Sequence, residues 1–201
     1  MRMQDKGEKM KALMKLMAGL FIVALDGRVQ MSMILVNVIT DVVGYALIFI
    51  GLTELIPWSP CFERGRKHAI GAFIFSLGIR AVNYFGLSQS FAALAYGMAA
   101  IFYIYMTYYI MEGLLVKNKT EKITEPNSNL RGAWTALAVG QFLYSLCYLA
   151  EIGSFLEEVG LGGLDAPVKA LLGAAAFATN TFFVIMINQT RLLLFPKQEE
   201  Q

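Results

Sequence analysis

The sequence predicts an all-α polytopic membrane protein, a transmembrane bundle of six helices, and three observations carry that prediction. Residues 81–111, 132–150 and 170–190 contain no Asp, Glu, Lys, Arg or His. Each run exceeds the roughly 18 residues that cross a hydrocarbon core of about 30 Å at about 1.5 Å per residue. Of the 201 residues, 57% are hydrophobic and 16% charged, against roughly 25% charged in soluble domains. Lys and Arg also concentrate in alternate connections between the apolar runs, the asymmetry that sets orientation in a bilayer. The longest polar stretch, 117–131, is too short for a separate soluble domain, so residues 1–201 read as one integral membrane domain.

Charged or Gly/Pro-rich breaks divide the chain into segments near 12–25, 30–56, 69–87, 90–116, 132–156 and 168–192. The first is short, preceded by Lys6, Lys9 and Lys11, with Lys15 inside it. It reads as a short span lengthened by Lys15 snorkelling to the headgroups. Two other readings compete. A cleaved signal peptide fits the basic start, but no small-x-small site follows Ala24, Leu25 and Asp26. An interfacial amphipathic helix would leave five spans.

The remaining breaks follow turn chemistry. Pro57 and Pro60 close the second segment, the uncharged stretch 86–90 joins the third to the fourth, and Pro126 lies in the polar stretch after the fourth. Asp165, Ala166 and Pro167 start the sixth, Asp as N-cap and Pro near the first helical position. Gly132, Ala136 and Gly140, then Ala170, Ala174 and Ala178, are small residues spaced i, i+4, i+8 and predict close helix contacts.

With six spans, the basic N-terminus, Arg64, Arg66, Lys67, Lys117, Lys119, Lys122, Arg131, Arg191 and Lys197 share one side. Only Arg28 and Lys169 fall on the other, where Asp26, Glu157, Glu158 and Asp165 lie. Both termini are therefore expected in the cytoplasm.

Counting from segment midpoints places a polar layer at mid-depth: Asp41, Arg80, Tyr103 and Tyr105, Gln141, Tyr144, Ser145, and residues 179–181. Asn37, Asp41 and Tyr45 repeat at i, i+4, i+8, as do Ser76, Arg80 and Tyr84 with Asn83 adjacent. Antiparallel packing of the second and third helices then predicts an Asp41–Arg80 ion pair. The candidate intramembrane polar site is Asp41, Arg80, Asn37, Asn83, Tyr105, Gln141 and Asn180. A charge near the bilayer centre costs at least about 2.5–3.5 kcal/mol on insertion scales, so such groups are candidates for function. Mutual neutralisation as a packing device is the competing interpretation.

Other chemistry has little to stand on. His68 is the one histidine and has no Cys or His at ligand spacing, so no metal and no cofactor is expected. Cys61 and Cys147 fall at different depths, which argues against a disulfide. The serines lack an intramembrane His or Lys to activate them, and no hydrolase, metalloprotease or P-loop motif occurs. The basic run at residues 64–68 is explained as a topology determinant. Dispersed basic residues without a module to present them exclude nucleic acid.

Residues 41–52, Asp-Val-Val-Gly-Tyr-Ala-Leu-Ile-Phe-Ile-Gly-Leu, resemble a stretch of an uncharacterised family of small multi-pass bacterial membrane proteins. Those proteins carry Leu-Pro before the Asp, where this chain has Ile39-Thr40. The resemblance covers about the first quarter of the chain. It implies an uncleaved N-terminus, a bacterial cytoplasmic membrane and a role for Asp41, and no particular activity.

The expected function is that of a non-enzymatic accessory or partner subunit, its partners being the bilayer and another membrane protein or a second copy. A small permease moving a proton, ion or small polar solute through the polar layer is the alternative. A lipid-modifying enzyme is the third.

Overall fold

The computed structural model describes residues 3–26, 34–85, 89–124, 126–146 and 165–196. Among them the chain is all α: α1 Met3–Asp26, α2 Ile34–Leu55, α3 Pro60–Phe85, α4 Gln89–Thr120, α5 Pro126–Leu146 and α6 Asp165–Leu194, with a 3-10 turn at Ile56–Trp58. Val38–Trp58, Ala93–Thr120 and Ala166–Leu194 are long and apolar enough to cross a membrane. The runs α1, α3 and α5 are helical over comparable lengths, but charges or polar residues occupy part of each.

Each helix packs antiparallel on the next, and α1 meets α6 to close the ring. Gly19 faces Gly44 and Ile48, while Gly51 faces Ala12 and Leu16, so α1 and α2 run opposite. Tyr45 meets Phe73 across α2 and α3, His68 meets Tyr105 across α3 and α4, and Tyr108 meets Trp134 across α4 and α5. Gly140 sits against Ala176 and Thr179 of α6, and Phe21 of α1 lies 6.1 Å from Phe177. The start of α1, the end of α6 and the α2–α3 and α4–α5 connections therefore share one end of the bundle, called basal here; the opposite end is distal.

Glycine sets the closest approach. A Cβ on Gly19 would lie 2.6 Å from the Gly44 carbonyl oxygen, and one on Gly51 would lie 2.8 Å from that of Ala12. Only glycine lets two helix backbones come this near.

Several boundaries differ from the sequence expectations. Pro60 opens α3 instead of closing α2: Ser59 caps it, its Oγ accepting from the Cys61 N–H at 3.2 Å, with Pro at the first helical position. The charged run 63–68 is thus the first turns of a helix. The polar stretch 117–131 is mostly helical too. α4 ends in a Schellman turn in which Ile123 N–H donates to Asn118 O at 2.9 Å, Lys122 N–H to Lys119 O at 3.2 Å, and Lys122 has φ 59°. α1 begins nine residues before the predicted start, Lys15 donating to Glu54 at 2.5 Å and Lys9 to the Glu54 carbonyl. The predicted small-residue contacts hold at Gly140, whereas Gly132 has nothing within 4 Å of its added Cβ. On α6, Ala170, Ala174 and Ala178 are exposed, and Gly173 and Ala176 make the close face instead. Residues 147–156 of the fifth predicted segment, and the turn at 86–88, lie outside the described residues.

Burial divides the bundle by height. Leu13, Leu16, Leu52, Leu55, Phe62, Met106, Ile110, Leu114, Leu130 and Ile187 are all fully buried and pack the basal half. Large apolar side chains remain exposed on every helix, among them Phe21, Ile50, Ile74, Leu94, Phe142 and Ile185. That exposure leaves an extended apolar outer surface, far beyond the isolated patches of a soluble monomer.

Candidate functional site

Distal to that apolar core, polar groups of α1, α2, α3, α4 and α6 are hydrogen-bonded inside the bundle. The α2 helix places Asp41 inward at 2% exposure, and α3 brings Ser76 and Arg80, one turn apart, to the same oxygen. Ser76 Oγ donates to Asp41 Oδ2 at 2.6 Å and Arg80 Nε donates to it at 3.2 Å. The predicted ion pair is thus present, with a hydroxyl as third member. The Arg80 side chain is 19% exposed. Its electrostatic neighbours include Tyr96 of α4 and Tyr144 of α5.

One helical turn basal of Asp41, Tyr45 is buried and is electrostatically coupled to both Asp41 and Tyr103 of α4. The Tyr103 hydroxyl donates to Asn180 Oδ1 of α6 at 2.5 Å, and Asn180 Nδ2 donates to the Leu20 carbonyl of α1 at 3.3 Å. Two hydrogen-bonded groups thus lie in the bundle, Asp41 with Ser76 and Arg80, and basal to it Tyr103 with Asn180 and the Leu20 carbonyl, with the Tyr45 ring buried on the Asp41 stripe one turn toward the second. Below it the aliphatic core begins. Thr107 and Thr190, buried in that core, turn their hydroxyls onto their own helix carbonyls and take no part.

Of the residues predicted for the site, Asp41, Arg80 and Asn180 enter these groups. Tyr105 does not: it is 51% exposed and its ring lies tilted against His68 at 5.6 Å on the outside of the bundle. Tyr103, two residues earlier, takes the inward position. Two residues turn a helix by about 200°, so only one of that pair can face in. Gln141 is half-buried on α5 beside the Gly140 contact with α6. Asn37 and Asn83 lie on α2 and α3, and their side chains fall outside the described residues. Sequence reasoning placed Ser76 on the right stripe without assigning it a role, and left Tyr96 unremarked. Tyr96 lies seven residues, two turns, from Tyr103 on the same face of α4, a spacing that would have revealed it.

The arrangement presents a guanidinium, a carboxylate and several hydroxyls inside the bundle. Such groups hold a proton or a small polar solute by charge-assisted hydrogen bonds. Among the described residues no three His, Cys, Asp or Glu side chains converge as metal ligands. Compared with known proteins, the chain matches no family model, no curated protein and no solved structure.

Proposed function

We propose that this chain is a six-span integral protein of the bacterial cytoplasmic membrane, both termini cytoplasmic, that takes a small polar solute or a proton among its distal-half polar groups, in the manner of a small permease. One observation carries the reading: α1, α2, α3, α4 and α6 contribute groups to interior hydrogen bonds that stand directly above a fully buried apolar core. Intramembrane ionisable groups facing a bundle interior mark solute and proton paths. The basic residues at the start of α3, around the end of α4 and the start of α5, and in the N-terminal helix gather at the basal end, which supports a cytoplasmic basal face. The long apolar exterior supports six spans.

The test uses the full-length protein in proteoliposomes loaded with a pH-sensitive dye, together with thermal-shift measurements against a panel of amino acids, short carboxylates and small amines. Acidification that depends on the protein and is lost in Asp41→Asn, or a solute-induced rise in Tm lost in Arg80→Met, is expected. Neither response in the wild type would refute the reading.

A non-enzymatic accessory or partner subunit is the second reading, favoured by the mutual compensation of Asp41 and Arg80, which lets the layer serve as a rigid pin. It predicts a co-purifying membrane protein and unchanged proton flux.

A further inference from the structure

The outer face of α3 and α4 near the basal end carries a second cluster of charge, separate from the interior groups. Arg64 and His68 stand one turn apart on α3 and meet Tyr109 and Tyr105, one turn apart on the antiparallel α4. The His68 ring lies 5.2 Å from that of Tyr109, 5.6 Å from Tyr105 and 6.0 Å from Phe102. The Arg64 Cζ is 6.0 Å from the Tyr109 centroid. His68 Nδ1 is 2.9 Å from the Arg64 carbonyl oxygen. A carbonyl only accepts, so Nδ1 carries the hydrogen, and Nε2 makes no hydrogen bond among the described residues.

Three basal lysines carry a counter-charge, whereas Arg66 lies over the Phe49 ring at 5.5 Å. Lys67 is held by Glu63 at 3.3 Å, Lys15 by Glu54 at 2.5 Å and Lys117 by Glu121 at 2.6 Å. No carboxylate pairs with Arg64 or His68 among the described residues; both lie against aromatic rings. One turn from Tyr105 on the same side of α4, Ile101 is exposed, and α3 exposes Ile70 and Ile74 beyond His68, so anything that reaches this face must present apolar chain beside negative charge. Only an anionic amphiphile satisfies both conditions.

We propose that this α3–α4 face binds an anionic phospholipid, with Arg64 on the phosphodiester, His68, Tyr105 and Tyr109 at the glycerol level, and the acyl chains along the apolar flank. This goes beyond the solute site and rests on the membrane reading alone. That reading fails separately, if the protein is released from membranes without detergent.

Native mass spectrometry of the detergent-purified full-length chain with phosphatidylglycerol, phosphatidylcholine or inorganic phosphate tests it. Phosphatidylglycerol should be retained over phosphatidylcholine, and the Arg64→Gln/His68→Gln variant should lower that retention about fivefold or more, the scale expected for one basic contact. Tyr109→Leu, which keeps every charge, should lower it as well. Arg66→Gln/Lys67→Gln removes neighbouring charge outside the cluster and should change it less than about twofold. Equal losses in the two double variants would show diffuse attraction and overturn the proposal. So would absence of a phosphatidylglycerol preference, or displacement of the lipid by millimolar inorganic phosphate, which would mark a site for a soluble anion.

Discussion

Removing the two charges of the interior pair singly and together should give sharply non-additive losses of stability. In Asp41→Leu the Arg80 guanidinium loses its carboxylate. Stripping one partner from a buried pair costs about 3–5 kcal/mol. Arg80 is 19% exposed and stands five residues before the distal end of α3, so it can snorkel toward that end, which places the loss near 3 kcal/mol. In Arg80→Leu the carboxylate stays buried at 2% exposure with the Ser76 hydroxyl still donating at 2.6 Å. It can take up a proton and remain as a neutral acid, so the loss is smaller, about 2 kcal/mol. The double Leu variant strands no charge and should lose about 2 kcal/mol, a coupling of about 3 kcal/mol. For a chain of this length each kcal/mol moves Tm by roughly 2–4 °C. Thermal unfolding in detergent, followed by Trp58 and Trp134 fluorescence, should then show Tm lowered by about 6–12 °C, 4–8 °C and 4–8 °C in that order. A double variant that loses the sum of the single losses would refute direct pairing. A larger loss in Arg80→Leu than in Asp41→Leu would refute the neutral-acid argument.

Four further outcomes are expected. Gly19→Ala forces its Cβ onto the Gly44 carbonyl and should cost about 1–2 kcal/mol net of its helix-propensity gain, whereas Gly97→Ala, which meets nothing within 4 Å, should raise Tm in the same assay. Tyr103→Phe leaves the buried Asn180 Oδ1 without its donor and should cost about 1 kcal/mol, read by denaturation in a mixed-micelle titration. Lys122→Gly relieves a left-handed backbone at φ 59° and should add about 0.5–1 kcal/mol. The Lys117 ammonium holds the Glu121 carboxyl below its usual range by a hydrogen bond and charge; its small surface contribution is present above the unfolded carboxylate pKa and lost as pH falls through the folded one, so Glu121→Gln should flatten the Tm profile only below about pH 4.5.

Much of the site was legible because its logic is one-dimensional. Asp41 and Arg80 are charges in otherwise apolar helices, and a short antiparallel connection fixes their relative height. Ser76 lies one turn from Arg80 and follows from the same stripe. Azimuth was harder to read on α4, which is apolar on all sides: nothing in the sequence separates its lipid face from its core face, and Tyr105 and Tyr103 were equivalent by depth. The start of α3 was obscured by charge. The residues 63–68 look like a solvated loop, yet Ser59 and Pro60 spell a helix start, and a helix that projects past the apolar zone carries charges at no cost. The hydrogen bond from Asn180 to the Leu20 carbonyl has no sequence signature, since its acceptor is backbone.

That same hydrogen bond joins residues 160 positions apart, and it ties the first helix to the last. A ring closed in this way cannot be completed while the chain is still being made. Until α6 emerges, α1 has only α2 as a neighbour, and the side of Leu20 and Phe21 that will meet α6 faces lipid or a chaperone. Assembly is therefore gated by α6, and termination between α5 and α6 leaves an open layer of five helices for quality-control proteases to find.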